Sequence, residues 1–213
     1  ANDKKMNLLK EWSKYEQKCS ETGEYQIFLA DNLQSAGAHQ EAQTILKNII
    51  IEKGQQYDVR VAYQIWLQSL LSEDKFDEAK EVAKQCIIHY PYWYRGYIGY
   101  GKALVFQGKF EEGKIYIDKS IALQDYYAEP YGLLTIIYDV YYKDPVMAVK
   151  MYKKALSKKQ YMFLFSMPRA TFSVVKCALS QKDYKTAVWV LEKERELFPE
   201  LAKAEWYVNL ENS

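Results

Sequence analysis

Histidine, cysteine, proline and glycine are all scarce in this 213-residue chain, with 2, 3, 5 and 9 copies respectively. His39 falls in a turn between two helical patterns and His89 ends one just before Pro91, with no second histidine beside either. No metal centre or general base follows from that arrangement; surface or capping roles do. Cys19, Cys86 and Cys177 are widely spaced and odd in number, so they suggest neither a metal-ligand spacing nor a disulfide framework. Cysteine usage favours a reducing compartment, the cytoplasm, with a periplasmic or exported chain after removal of a signal peptide as the alternative. The chain begins at Ala1 rather than Met, which reads as processing or trimming, so a missing signal peptide decides nothing. Few glycines and prolines disfavour a loop-rich or all-β chain with many tight turns. The most apolar stretches, Tyr131 to Tyr142 and Tyr161 to Met167, are too short to span a membrane. Neither sign of charge dominates: Lys and Arg number 29, Asp and Glu 28, for a net charge of +1. Such a balance gives no general electrostatic pull toward nucleic acid or a membrane surface.

Aromatic residues, in contrast, make up 15% of the chain, and tyrosine alone supplies 20 residues. A small residue recurs near the start of successive amphipathic helices: Ala42, Ala79, Gly113, Ala148 and Ala187, at intervals of 37, 34, 35 and 39. Self-similarity near 34 residues marks a stack of like supersecondary units. Each unit reads as two helices. The first carries apolar and aromatic residues at helical spacing, as in Tyr63, Trp66, Leu67 and Leu70, or Tyr97, Tyr100 and Leu104. Breaks follow at Gly37, Glu73-Asp74, Gly108, Asp144-Pro145 and Asp183. Glycine ends a helix in a left-handed conformation, and Asp-Pro starts one by capping it and pre-setting φ. Pro91 and Pro199 stop two of the second helices.

The residues of the third unit, Tyr97-x2-Tyr100-Gly101-x2-Leu104 followed by Gly108, Phe110, Gly113 and Ile117, resemble the tetratricopeptide repeat. Its neighbour matches with Tyr63, Trp66, Leu70, Phe76, Ala79, Ala83 and Pro91, and the fourth with Tyr131, Leu134, Thr135, Tyr138, Ala148, Tyr152 and Ala155. The first unit (Leu29, Ala30, Leu33, Gly37, Ala42, Leu46) and the fifth (Val174, Ala178, Tyr184, Ala187, Leu191, Pro199) fit more loosely. The resemblance implies an all-α fold, a right-handed α-α superhelix of hairpins with about twelve helices. Five repeats would cover residues 23–201, at about 23–56, 60–93, 94–127, 128–162 and 168–201. Residues 1–22, with a stripe of Met6, Leu9, Trp12, Tyr15 and Cys19, and 202–213, with Trp206, are expected to be capping helices or stumps of further repeats.

No catalytic constellation accompanies this pattern, and neither an enzyme nor a cofactor is expected. Cys86 stands where the family has a small buried residue, without a paired histidine. Gly99 and Gly101 have no preceding strand and no following Lys-Ser/Thr, so they read as a close helix approach rather than a phosphate loop. Tyr90-Pro91-Tyr92-Trp93-Tyr94, Tyr97 and Tyr100 read as filling between hairpins rather than a base-stacking platform. Lys143, Lys150, Lys153, Lys154, Lys158 and Lys159 read as a solvated face, with an acidic partner the lesser alternative. The apolar stretch 131–142 must be buried all round or covered by a partner. The segment 161–168, with Phe163 and Phe165, is too apolar for a linker and reads as a contact with a partner or with its own stack.

The family's concave groove is lined by first helices. Carrying its positions over places Glu24, Ile27 and Asp31 in the first unit and Val61, Gln64 and Gln68 in the second. The third offers Arg95, Ile98 and Lys102, the fourth Glu129, Gly132 and Ile136, and the fifth Arg169, Phe172 and Lys176. In related chaperone-binding domains a Lys/Asn/Asn/Lys/Arg set clamps a terminal carboxylate. Here Ile27 and Asp31, or Gln64 and Gln68, stand where Lys and Asn are needed, so that activity is not implied. Two functions remain: a groove holding a protein or peptide partner, or a structural arm or homo-oligomerisation module using the stack ends and residues 161–167. The half from the third to the fifth unit is expected to dominate binding.

Overall fold

A computed structural model describes residues 22–53, 58–158 and 168–197 of the chain. Among these residues there are ten helices and no strand. They are α1 (Gly23–Ser35), α2 (His39–Lys53), α3 (Arg60–Ser72), α4 (Phe76–His89), α5 (Tyr94–Phe106), α6 (Phe110–Leu123), α7 (Glu129–Val140), α8 (Pro145–Leu156), α9 (Pro168–Ser180) and α10 (Tyr184–Leu197). The expected end helices, in 1–22 and 202–213, lie outside the described residues apart from Thr22, as do Phe163 and Phe165.

The helices pair as α1/α2, α3/α4, α5/α6, α7/α8 and α9/α10, and fall into two compact units divided after Pro91. In the first unit α3 packs against both α1 and α2; in the second α7 packs against α5 and α6, and α9 against α7 and α8. First helices therefore stand side by side within each unit, each resting on the hairpin before it.

One backbone device closes all five hairpins. Each turn contains one residue with positive φ: Gly37 (83°), Asp74 (57°), Gly108 (79°), Lys143 (54°) and Lys182 (59°). In four of them two amides turn back onto the end of the first helix. Around Asp74, for example, its N–H reaches the Leu71 carbonyl and the Lys75 N–H reaches that of Leu70. This pairing satisfies carbonyls that the helix end would leave bare. The sequence placed the last two breaks at Asp144-Pro145 and Asp183; the chain turns one residue earlier in both. Asp144 and Asp183 instead cap the following helices, Asp144 Oδ1 accepting from Met147 N–H at 2.9 Å and Asp183 Oδ1 from Thr186 N–H at 3.2 Å. Aspartate at that position offers an orphan helix amide its missing acceptor.

Each of the recurring small residues is the fourth residue of the second helix of its hairpin. Ala42, Ala79, Gly113, Ala148 and Ala187 are all buried. At the α5/α6 crossing the approach is closest, with Gly101 and Gly113 facing each other's backbone. The core of the second unit runs through Leu133, Leu134, Ile137, Tyr152, Val174 and Val190, and Tyr63, Leu70, Ala83 and Cys86 are buried in the first unit. Burying each leucine, isoleucine or valine among these stabilises by about 1.5–3 kcal/mol. Helix α7 is buried on every side from Pro130 to Ile137, and the exposed turn begins at Val140, so its own hairpins cover the stretch that lacked a polar face.

Candidate interaction face

In the second unit the sequence-derived groove positions occupy three first helices. Arg95, Ile98, Lys102 and Phe106 recur on α5 at spacings that put them on one stripe. Arg169, Phe172 and Lys176 do the same on α9. Arg169 and Lys176 are exposed, Arg95 and Lys102 half-buried, and Phe172 keeps 39% of its surface in solvent. Ile98 and Ile136, expected as apolar anchors, are only 4% and 5% exposed and belong to the core, and Gly132 is buried as well. The contact of Arg169 with Phe106 shows how tightly this row closes: its guanidinium carbon lies 5.1 Å from the ring centre, linking α9 to α5. Phe172 is the one apolar groove position of the three helices that solvent reaches.

The cations are not all free for a ligand. Lys102 Nζ lies 2.8 Å from Glu129 Oε1, joining α5 to α7. Burial alone would raise the Glu129 pKa, but Lys102 and Arg95 outweigh it and hold the carboxyl below its ordinary range. Lys176 Nζ lies 2.7 Å from Asp139 Oδ1, which also accepts from the Cys177 thiol at 3.4 Å, tying α9 to α7. Burial, with Asp139 beside it, pushes the Cys177 thiol up to about 12, so it is no thiolate near neutrality. Asp139 is not among the groove positions read from sequence; its standing as a lone acid in an apolar helix is the signal that could have found it.

Of the basic stretch on and flanking α8, Lys143, Lys150, Lys153 and Lys154 are exposed, as a solvated face requires, while three of its lysines make contacts within the fold. Lys153 bonds Asp183 at 2.8 Å, Lys158 lies 2.7 Å from Asp125, and Lys154 and Lys158 stand over the Tyr131 ring. The tyrosines also work locally: Tyr94 stacks on Tyr127 and Tyr100 on Tyr116, with ring centres 4.9 and 4.3 Å apart. Both histidines are engaged, His89 Nδ1 with the Tyr63 hydroxyl at 2.8 Å and His39 Nδ1 with Ser69 Oγ at 3.4 Å. Burial pushes the Cys86 thiol up to about 12.

In the first unit, Glu24, Asp31, Val61 and Gln68 are exposed, and Ile27 and Gln64 partly so, on α1 and α3, which pack together.

No family model and no curated protein matches the sequence. Solved structures do resemble the fold. A thermophilic tetratricopeptide-repeat protein of Thermus thermophilus is 17% identical with a TM-score of 0.67, covering 90% of this chain and 98% of that one. The APC/C hetero-tetramer Cut9–Hcn1 is similar at 14% identity and a TM-score of 0.76, over 92% of this chain and 38% of that one. YrrB, a tetratricopeptide-repeat protein with an unusual peptide-binding site, is 12% identical with a TM-score of 0.54, over 94% and 97% of the two chains. The chain has the all-α, helical-hairpin fold of the tetratricopeptide-repeat proteins.

Proposed function

We propose that this protein is a non-catalytic scaffold that holds a peptide or helix of another protein along the first helices, chiefly across α5 and α9. The observation that carries this reading is the exposure of Arg169, Phe172 and Lys176 along one stripe of α9, which meets the far end of α5 where Arg169 lies over Phe106, a set offering one apolar anchor among cations. YrrB, similar in fold, is described by its peptide-binding site, which supports the same use of this architecture. Burial pushes the Cys86 and Cys177 thiols up to about 12, which leaves neither a ready nucleophile near neutrality and accords with a binding role. Phe163 and Phe165 remain a proposed second apolar contact.

A structural or self-associating arm is the second reading. Exposed Phe28 and Leu29 on α1, and Tyr184 and Val188 on α10, the first and last described helices, favour it. The two are separated by measuring the Kd of a captured partner for Phe172→Ser and for a Phe28→Ser, Val188→Ser pair. The groove reading expects the first to weaken association about tenfold or more with unchanged helical signal. Loss only in the second would put the structural arm first.

A further inference from the structure

Three first helices carry an arginine in their first turn: Arg60 in α3, Arg95 in α5 and Arg169 in α9. Each guanidinium lies over an aromatic ring. Arg60 stands 5.9 Å from the Tyr90 centre, Arg95 5.3 Å from Tyr94 and 5.6 Å from Tyr127, and Arg169 5.1 Å from Phe106. A ring against the face of a guanidinium restrains its plane while its N–H edge keeps the capacity for a bidentate bond to a carboxylate.

At that edge the three differ. Arg60 is already satisfied, its Nε donating to both Asp58 carboxylate oxygens at 2.8 and 2.9 Å. Among the described residues no carboxylate stands within ion-pair distance of Arg95 or Arg169. Glu129, which feels the Arg95 charge, spends its hydrogen bond on Lys102. The two arginines also mark the two ends of one helix. Arg95 opens α5, and Arg169 is stacked on Phe106, which closes it on the same stripe. Eleven residues at a rise of 1.5 Å separate these ends by roughly 16 Å.

We infer that Arg95 and Arg169 are paired carboxylate stations for a single acidic peptide segment lying along α5, with the Lys102–Glu129 bridge beside its middle. An extended chain advances at most about 3.3–3.6 Å per residue and alternates its side chains between two faces, so the two acidic side chains stand an even number of positions apart, about six being the first such spacing to span the distance. This rests on the peptide-scaffold reading and specifies the ligand of that same face.

The test uses the intact chain and three fluorescent twelve-residue peptides, acetylated and amidated to remove terminal charges. Leucine and serine fill the remaining positions of each. One carries two glutamates six positions apart, one carries them two apart, and one has glutamines in place of the first peptide's glutamates. The first should bind about tenfold or more tightly than the other two, with the steeper loss in added salt. Arg95→Gln and Arg169→Gln should each cost the first peptide about tenfold while keeping the wild-type helical signal, and Arg60→Gln should cost nothing. Arg169→Lys should fall between, because it keeps the charge and loses the fork. Equal binding of all three peptides would overturn the two-station inference. If Phe172→Ser then weakened all three, the peptide face would still stand. If the chain held none of them, the inference would fail and the scaffold reading would lose its support on this face.

Discussion

The α5/α6 crossing allows a sharp test of how closely the hairpins are built. A Cβ added at Gly101 would meet Ile117 Cγ1 at 2.9 Å, the Gly113 carbonyl oxygen at 3.0 Å and the Ile117 nitrogen at 3.2 Å. One added at Gly113 would meet Val105 Cγ2 at 2.8 Å, the Gly101 carbonyl oxygen at 3.1 Å and the Val105 nitrogen at 3.3 Å. Carbon atoms prefer separations of about 3.5–4.0 Å, so the two helices must part by several tenths of an ångström. Local relief is limited, because Val105 and Ile117 are stiff at χ1 and the other atoms are backbone. Overpacking of this kind costs about 1–3 kcal/mol. Against it stands the better helix propensity of alanine, worth about 0.8–1.0 kcal/mol over glycine. The clash wins, leaving each single alanine variant destabilised by about 1 kcal/mol net. The double variant should lose less than the sum of the singles, since one opening of the crossing makes room for both methyl groups. Urea titrations of the intact chain, followed by far-UV circular dichroism, give the four stabilities needed. A midpoint at or above wild type for either single variant would mean that the crossing opens without cost.

Two further outcomes follow from the turns. Lys182 holds φ at 59° with a β-carbon in place, so Lys182→Gly should raise stability by about 0.5–1 kcal/mol in the same titration, and a lower midpoint would contradict the strain. Hydrogen bonds from Lys153 and then Thr186 hold the Asp183 carboxyl near 2, below its ordinary 3.8. Because its folded pKa lies below the unfolded one, its contribution is complete above about pH 4 and fades as pH falls toward 2. Lys153→Met should bring the Asp183 carbon resonance titration upward, and no movement would exclude Lys153 as the main cause.

How much was legible depended on whether a signal was local. The period of Ala42, Ala79, Gly113, Ala148 and Ala187 could be read because helix crossings demand small side chains at a fixed place. Gly37 and Gly108 announced their turns, since glycine adopts positive φ without penalty. Lys143 and Lys182 announced nothing; lysine has no preference for that conformation, and closing the hairpin imposes it. Likewise, groove positions could be listed by register, but register does not say how far neighbouring first helices close on one another. That closure is what buries Ile98 and Ile136 and leaves Phe172 reachable. The pairing of Lys102 with Glu129, and of Lys176 with Asp139, joins different repeats, and the spacing within one repeat does not encode it. The same holds for Lys153 on α8 and Lys158 just after it, whose partners Asp183 and Asp125 belong to flanking turns.

The stacking of Arg169 on Phe106 also bears on the order in which the molecule assembles. The side-chain hydrogen bonds between different helices described above join residues 26 to 38 positions apart, about one repeat. Each closes a loop of similar length and similar entropic cost, so a hairpin can dock on its neighbour without waiting for the remainder. Arg169 and Phe106 reach further, bracketing all of α6, α7 and α8. Their contact closes only once the intervening hairpins are in place. A ligand gripping Arg169 would therefore favour three assembled hairpins at once over any partly unravelled form.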